Sequence, residues 1–186
     1  MDEGAVENAR EALRRSFRPA LVRVLFVGES PPAGGTFFYA ADSGLYRATR
    51  DAFEAALPGR FPADRFLECF AQLGCYLEDL SHEPVNQLTA RSDGSVQKRI
   101  TARRDGEARL AKVLAALRPR AIVVLLKAIA PNVARAATQA LCSETERYVL
   151  TYPSRWHRHR VVYRSELAAL VRDLVRRGIL EATGLR

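Results

Sequence analysis

The chain has 186 residues, 48% of them hydrophobic, and carries a formal net charge of +8. That length and composition suit one domain with a sizeable core. No apolar run approaches the roughly 18 residues of a membrane span, and the opening MDEGAVENAREALRR lacks the apolar centre of a secretory signal; the expectation is a single domain over 1–186, cytoplasmic and without a membrane segment.

In chain order, VRVLFV (22–27) is a β-branched, near-continuously apolar run of strand length. The loop FVGESPPAGGTFFY (26–39) follows, and then SGLYRATRDAFEAAL (43–57), with apolar residues at helical spacing and a Ser-Gly start. RFLECFAQLG reads as a short helix and CYLEDL (75–80) as a second strand. The polar stretch from Ser81 to Arg104 is longer than an ordinary connection, which marks it as functional or mobile.

DGEARLAKVLAALRPR predicts an amphipathic helix stopped near Pro119, AIVVLL (121–126) a buried strand, and PNVARAATQAL another helix. RYVLTY (147–152) is the fourth strand, and RSELAALVRDLVRRGIL closes the chain as a helix ending near Gly178. Strands alternating with helices imply a three-layer α/β/α sandwich around a four-stranded parallel sheet covered on both faces. Sites in such sheets lie beyond the carboxyl ends of the strands. GESPP, EDLSHEP and YPSRWH would therefore converge on one crevice.

Charge is unevenly distributed: residues 1–100 hold 12 basic and 14 acidic side chains, and 101–186 hold 17 and 7. The basic half favours a polyanionic partner, with KRITARR and SRWHRHR as contact points. Only three of the 29 basic residues are lysines, so arginine-rich codon usage accounts for part of the excess. Cys69, Cys75 and Cys142 match no zinc or redox spacing and are expected to be reduced.

GESPP, the following GGTFFYAADSGLY, LRPRAIVVLLKAIAPNVARAA and TYPSRWHRHR together resemble the uracil-DNA glycosylase superfamily in order and spacing, over roughly residues 20 to 178. That family has a four-stranded parallel sheet, a Gly-x-x-Pro loop after strand one and a His-Pro-Ser loop after strand four. The resemblance implies a monomeric enzyme that flips a damaged or deaminated base from DNA and hydrolyses its N-glycosidic bond without metal or cofactor.

On that resemblance Gly28 and Glu29 belong to the first motif, with Glu29 positioning water and supporting positive charge on the sugar. Phe38 is the stacking face, with Phe37 and Tyr39 as alternatives. Ser154 corresponds to the serine that touches a phosphate, and Arg155, His157, Arg158, His159 and Arg160 can act likewise. Trp156 or Arg155 is the wedge that fills the gap left by the flipped base. His82 has no evident partner and is expected at the surface.

Two departures bear on chemistry. Tyr152 stands in place of the family histidine; it donates one hydrogen bond and cannot become a cation near neutral pH. At the end of strand two Asp79, or Glu78 if the register slips by one, replaces the base-reading Asn. An ionised carboxylate only accepts hydrogen bonds, so it disfavours uracil and prefers a donor-rich base edge. No Gly-x-Ser-x-Gly elbow and no Gly-x-Gly-x-x-Gly turn occurs. The rival reading is a glycosylase-like module that binds nucleic acid without catalysis.

Overall fold

The computed structural model describes residues 3–85 and 93–181. Its elements run α1 (Glu3–Ser16), β1 (Val24–Gly28), α2 (Gly44–Ala56), α3 (Phe66–Gln72), β2 (Cys75–Asp79), α4 (Asp93–Leu117), β3 (Ala121–Val124), α5 (Ala130–Gln139), β4 (Glu146–Val149) and α6 (His157–Arg176). The four strands form one parallel sheet in the order β2-β1-β3-β4.

The order dictates the layers. From β1 the chain steps to one side to reach β2, then crosses back over β1 to β3 and continues outward to β4. Right-handed crossovers therefore place α2 and α3 on one face and α4 and α5 on the other. Side chains agree: Phe26 of β1 packs against Phe53 of α2 and Phe70 of α3. The last helix returns to the α2 face, where a buried hydrogen bond of 2.8 Å joins Tyr163 of α6 to Thr49 of α2. On the opposite face α4 packs on α5, tied by Glu107, which accepts from Asn132 and Arg135 at 2.6 Å each. The result is an α/β/α sandwich around one buried apolar cluster.

Local chemistry explains the element ends. Ser43 caps α2, its hydroxyl accepting from the Tyr46 N–H at 3.0 Å. Pro131 stands in the first turn of α5, where an amide N–H is not needed. Gly178, at φ 66°, ends α6 as expected, with its N–H and that of Ile179 returning to Val175 and Leu174.

Three boundaries differ from the sequence reading. The N-terminal segment is a helix whose Leu13 and Phe17 pack against the core. Val6, Leu13 and Phe17 share a helical stripe that is too sparse in apolar residues to stand out. The polar stretch from Ser81 is loop only in part: residues 93–104 form the first half of the 25-residue α4. Residues 86–92 of that stretch lie outside the described part. Finally β4 ends at Val149; it is an edge strand paired on one side only, and its side chains are mostly exposed, whereas those of the other edge strand, β2, are buried. Arg155 and Trp156 precede the first turn of α6, which holds His157, Arg158 and Arg160.

Candidate functional site

The sheet order places a topological switch between β1 and β3, where α/β sheets open a crevice at their carboxyl ends. A cavity of about 410 Å³ occupies that place, within the roughly 300–1,000 Å³ range of small-molecule sites. Its walls come from the three expected loops: Gly28, Glu29 and Phe38 after β1, Asp79 at the end of β2, and Tyr152, Ser154 and Arg155 after β4. Leu126, beyond β3, and Arg99 of α4 complete it.

The aromatic loop resolves into separate tasks. Tyr39 does not line the cavity; its hydroxyl donates to the Leu77 carbonyl at 3.0 Å and accepts from the Leu77 N–H at 2.7 Å. It thereby satisfies the open edge of β2, whose backbone groups would otherwise be buried unpaired. Phe37 and Phe38 both reach the cavity. Phe38 is fixed by ring contacts at 5.2 Å with Tyr39, 6.0 Å with Tyr46 and 5.6 Å with Phe70. Asp42 accepts from the Phe37 N–H at 2.7 Å and so holds the turn that presents both rings.

Asp79, rather than Glu78, faces the cavity. Its Oδ2 accepts from Arg14 of α1 at 3.0 Å, while Oδ1 lies against Gly28, where any Cβ would collide with it. Glycine at position 28 is thus required by the close approach of this carboxylate. Burial pushes the Asp79 carboxyl up to about 6, although Arg14 and Arg109 oppose the rise and Glu78 adds to it. Glu78 turns away to Arg14, Arg109 and His82, at 3.4, 3.1 and 3.6 Å. His82 consequently has partners, Glu78 and, at 3.7 Å, Glu7.

Glu29 is held by two arginines of KRITARR, a cluster the sequence reading assigns to a polyanionic partner. Arg99 and Arg103, from the segment read as a loop, both donate to its carboxylate: Arg99 Nε reaches Oε1 at 2.8 Å and its Nη2 bonds Oε2, while Arg103 Nε reaches Oε1 at 2.6 Å. Burial raises the Glu29 carboxyl, but hydrogen bonds and charge from Arg99 and Arg103 outweigh it and hold the group below the usual range. Glu29 is therefore an ionised, oriented acceptor and a weak base.

Tyr152 retains 41% of its surface in the open. Partial burial, together with the negative charges of Asp79 and Glu29, keeps its phenol protonated above its usual value. Thr151 fixes the preceding backbone, its N–H donating to Glu166 of α6 at 2.7 Å. At the mouth, Ser154 Oγ pairs with His159 Nδ1 at 2.7 Å, and the Arg155 guanidinium lies 5.2 Å from the ring centre of Trp156. Trp156 is 61% exposed. His157, Arg158 and Arg160 are exposed around the first turn of α6, which contains no acidic residue.

Of the expected residues, Gly28, Glu29, Phe38, Asp79, Tyr152, Ser154 and Arg155 line one cavity, whereas Trp156, His157, Arg158 and Arg160 do not; Arg14 holds Asp79 from behind, and Arg99 and Arg103, expected in KRITARR as contacts for a polyanion, instead pair with Glu29. Among the described residues no cluster of His, Cys, Asp or Glu is arranged to hold a metal ion, the three cysteines are buried and unpaired, and no helix is long and apolar enough to cross a membrane. Compared with known proteins, the sequence matches no family model and no curated protein.

Proposed function

We propose that the cavity receives one nucleobase turned out of DNA, and that the protein acts as a monomeric, monofunctional DNA glycosylase in base repair, hydrolysing the N-glycosidic bond. The observation that carries this reading is the convergence of an ionised Glu29, a buried Asp79, the Phe37 and Phe38 rings and Tyr152 on a single cavity. Ser154 and Arg155 line it, and Trp156 follows them in the chain, just before the arginines of the first α6 turn.

Each group has a task that its environment suits. Phe38, anchored by its three ring neighbours, offers a rigid stacking platform, an interaction contributing about 1–3 kcal/mol per base. Asp79 accepts from the base edge. Glu29 orients a water toward C1′ and offsets positive charge growing on the sugar. Tyr152 donates to the leaving base.

Outside the cavity, Trp156 fills the gap in the stack. Ser154, Arg155, Arg158 and Arg160 meet the backbone phosphates, aided by the amino end of α6.

A second reading is favoured by a specific feature. Two arginines already occupy Glu29, and Tyr152 is a weak proton donor, an arrangement that also suits a module that binds an extruded base without cutting it. Incubation with oligonucleotides carrying single uracil, hypoxanthine, xanthine or alkylated bases, followed by alkaline cleavage at abasic sites, separates the two. Base release lost in Glu29→Gln supports the enzyme. DNA binding with no release from any substrate supports the module.

A further inference from the structure

Resting on the glycosylase reading, we infer that the base this cavity takes is a positively charged, N7-alkylated guanine rather than uracil. Three independent features of the site point to that chemistry.

The first is the base-reading group. Asp79 Oδ2 is committed to Arg14, and Oδ1 is seated against Gly28 at the cavity wall. A carboxylate so placed accepts hydrogen bonds and donates none. Uracil offers two carbonyls flanking one N–H, so a carboxylate facing that edge meets oxygen lone pairs. Guanine offers an N–H beside an amino group, two adjacent donors that match a carboxylate. Alkylation at N7 leaves that edge in place.

The second feature is charge. Asp79 already has a cationic partner in Arg14, so the attraction for a cationic base rests on the aromatic wall, and N7 alkylation places a positive charge on the purine ring. The neighbouring Phe37 and Phe38 rings attract a cationic base more strongly than a neutral one through their π faces. The Arg14 guanidinium, 5.4 Å from the Phe37 ring centre, shows the same preference satisfied internally.

The third feature is the leaving group. Uracil departs as an anion and needs a strong donor, yet Tyr152 stays a neutral phenol. N7-alkylguanine departs neutral. Water attacks C1′, the C1′–N9 bond breaks with its electron pair going to N9 and cancelling the ring charge, and the proton lost by water passes by way of Glu29 to solvent. No donor beyond Tyr152 is required, and a weak base such as Glu29 suffices to orient water toward an already activated bond.

The test uses the full chain with three duplex oligonucleotides of one sequence. They carry a single N7-methyl-2′-deoxyguanosine, 2′-deoxyuridine or unmodified deoxyguanosine, and base release is followed under single turnover after subtracting spontaneous depurination. We expect N7-methylguanine to be released at least tenfold faster than uracil, and Asp79→Asn to reduce that rate at least tenfold. Because Asp79→Asn can perturb folding, the wild type is also titrated by thermal shift with the nucleosides N7-methyl-2′-deoxyguanosine, which keeps the ring charge, and 2′-deoxyuridine, and only the former should raise the melting temperature. Faster release of uracil or tighter binding of its nucleoside would overturn the substrate assignment and leave the glycosylase reading standing. Release of neither base, with no shift by either ligand, would overturn both.

Discussion

Arg14 donates to Asp79 at 3.0 Å across 65 positions of sequence, and both side chains are buried. The pair joins the N-terminal helix to the end of β2 and fixes Asp79, which with Glu29 lines the cavity. Arg14 also pairs with Glu11 at 2.7 Å and Glu78 at 3.4 Å; its removal leaves buried Asp79 without its ion-pair partner, while Glu78 keeps Arg109 and His82. Arg14→Met is expected to destabilise the protein by about 3–5 kcal/mol, the usual cost of breaking a buried pair from one side. Urea denaturation measures it, and a loss below 1 kcal/mol would show that α1 is an accessory.

Arg99 and Arg103 are expected to set the ionisation of Glu29. Their contacts hold its carboxyl low, so the stability they contribute is present above the unfolded carboxylate value and lost as pH falls through the lowered one. Arg99→Ala combined with Arg103→Ala should move the Glu29 midpoint upward, seen in carboxyl chemical shifts against pH. A midpoint that stays in place would mean that the two ion pairs do not form in solution.

Asp79 should behave in the opposite way. Its carboxyl is raised to about 6, so folding gains from its protonation below the unfolded value and loses that gain as pH rises through 6. Asp79→Asn should therefore compare most favourably with wild type at pH 8 and least favourably at pH 4. Base release should fall below about pH 6 in wild type, as the acceptor for the base edge is neutralised, and this limb should disappear from whatever activity Asp79→Asn retains.

The exposed arginines before and within the first turn of α6 are expected to meet phosphates. DNA affinity should fall steeply with salt, with a log–log slope near −0.9 per phosphate neutralised. Arg158→Ala or Arg160→Ala should make the slope shallower by about one such unit. An affinity that ignores salt would contradict a phosphate-tracking surface.

The strands and most helices were legible because their apolar residues repeat at the right spacing and are closed by Ser43, Pro131 and Gly178, whose roles are local. The convergence of Glu29, Asp79 and Tyr152 followed from topology alone, since parallel strands deliver their carboxyl ends to one side. The pairings of Arg14, Arg99 and Arg103 were illegible for the converse reason, the last two being read within KRITARR as contacts for a polyanion. Their partners lie 65 to 74 positions away, and a charged residue on a helix carries no local mark of being buried. The first half of α4 escaped because its inward side is held to the sheet end by arginines rather than by an apolar stripe. Tyr39 could not be separated from Phe37 and Phe38 until its hydroxyl was seen bonded to β2.

The central claim is that one extruded base occupies the cavity between these loops, and a crystal structure of the complex with DNA tests it most directly. The duplex would carry a 2′-fluorinated N7-methylguanosine, in which the electron-withdrawing fluorine slows cleavage. The account requires the base stacked on Phe38 or Phe37, its amino edge within hydrogen-bond distance of Asp79 Oδ1, and Trp156 or Arg155 in the vacated stack. A duplex bound with every base still stacked, or held on a surface away from Glu29 and Asp79, would contradict it.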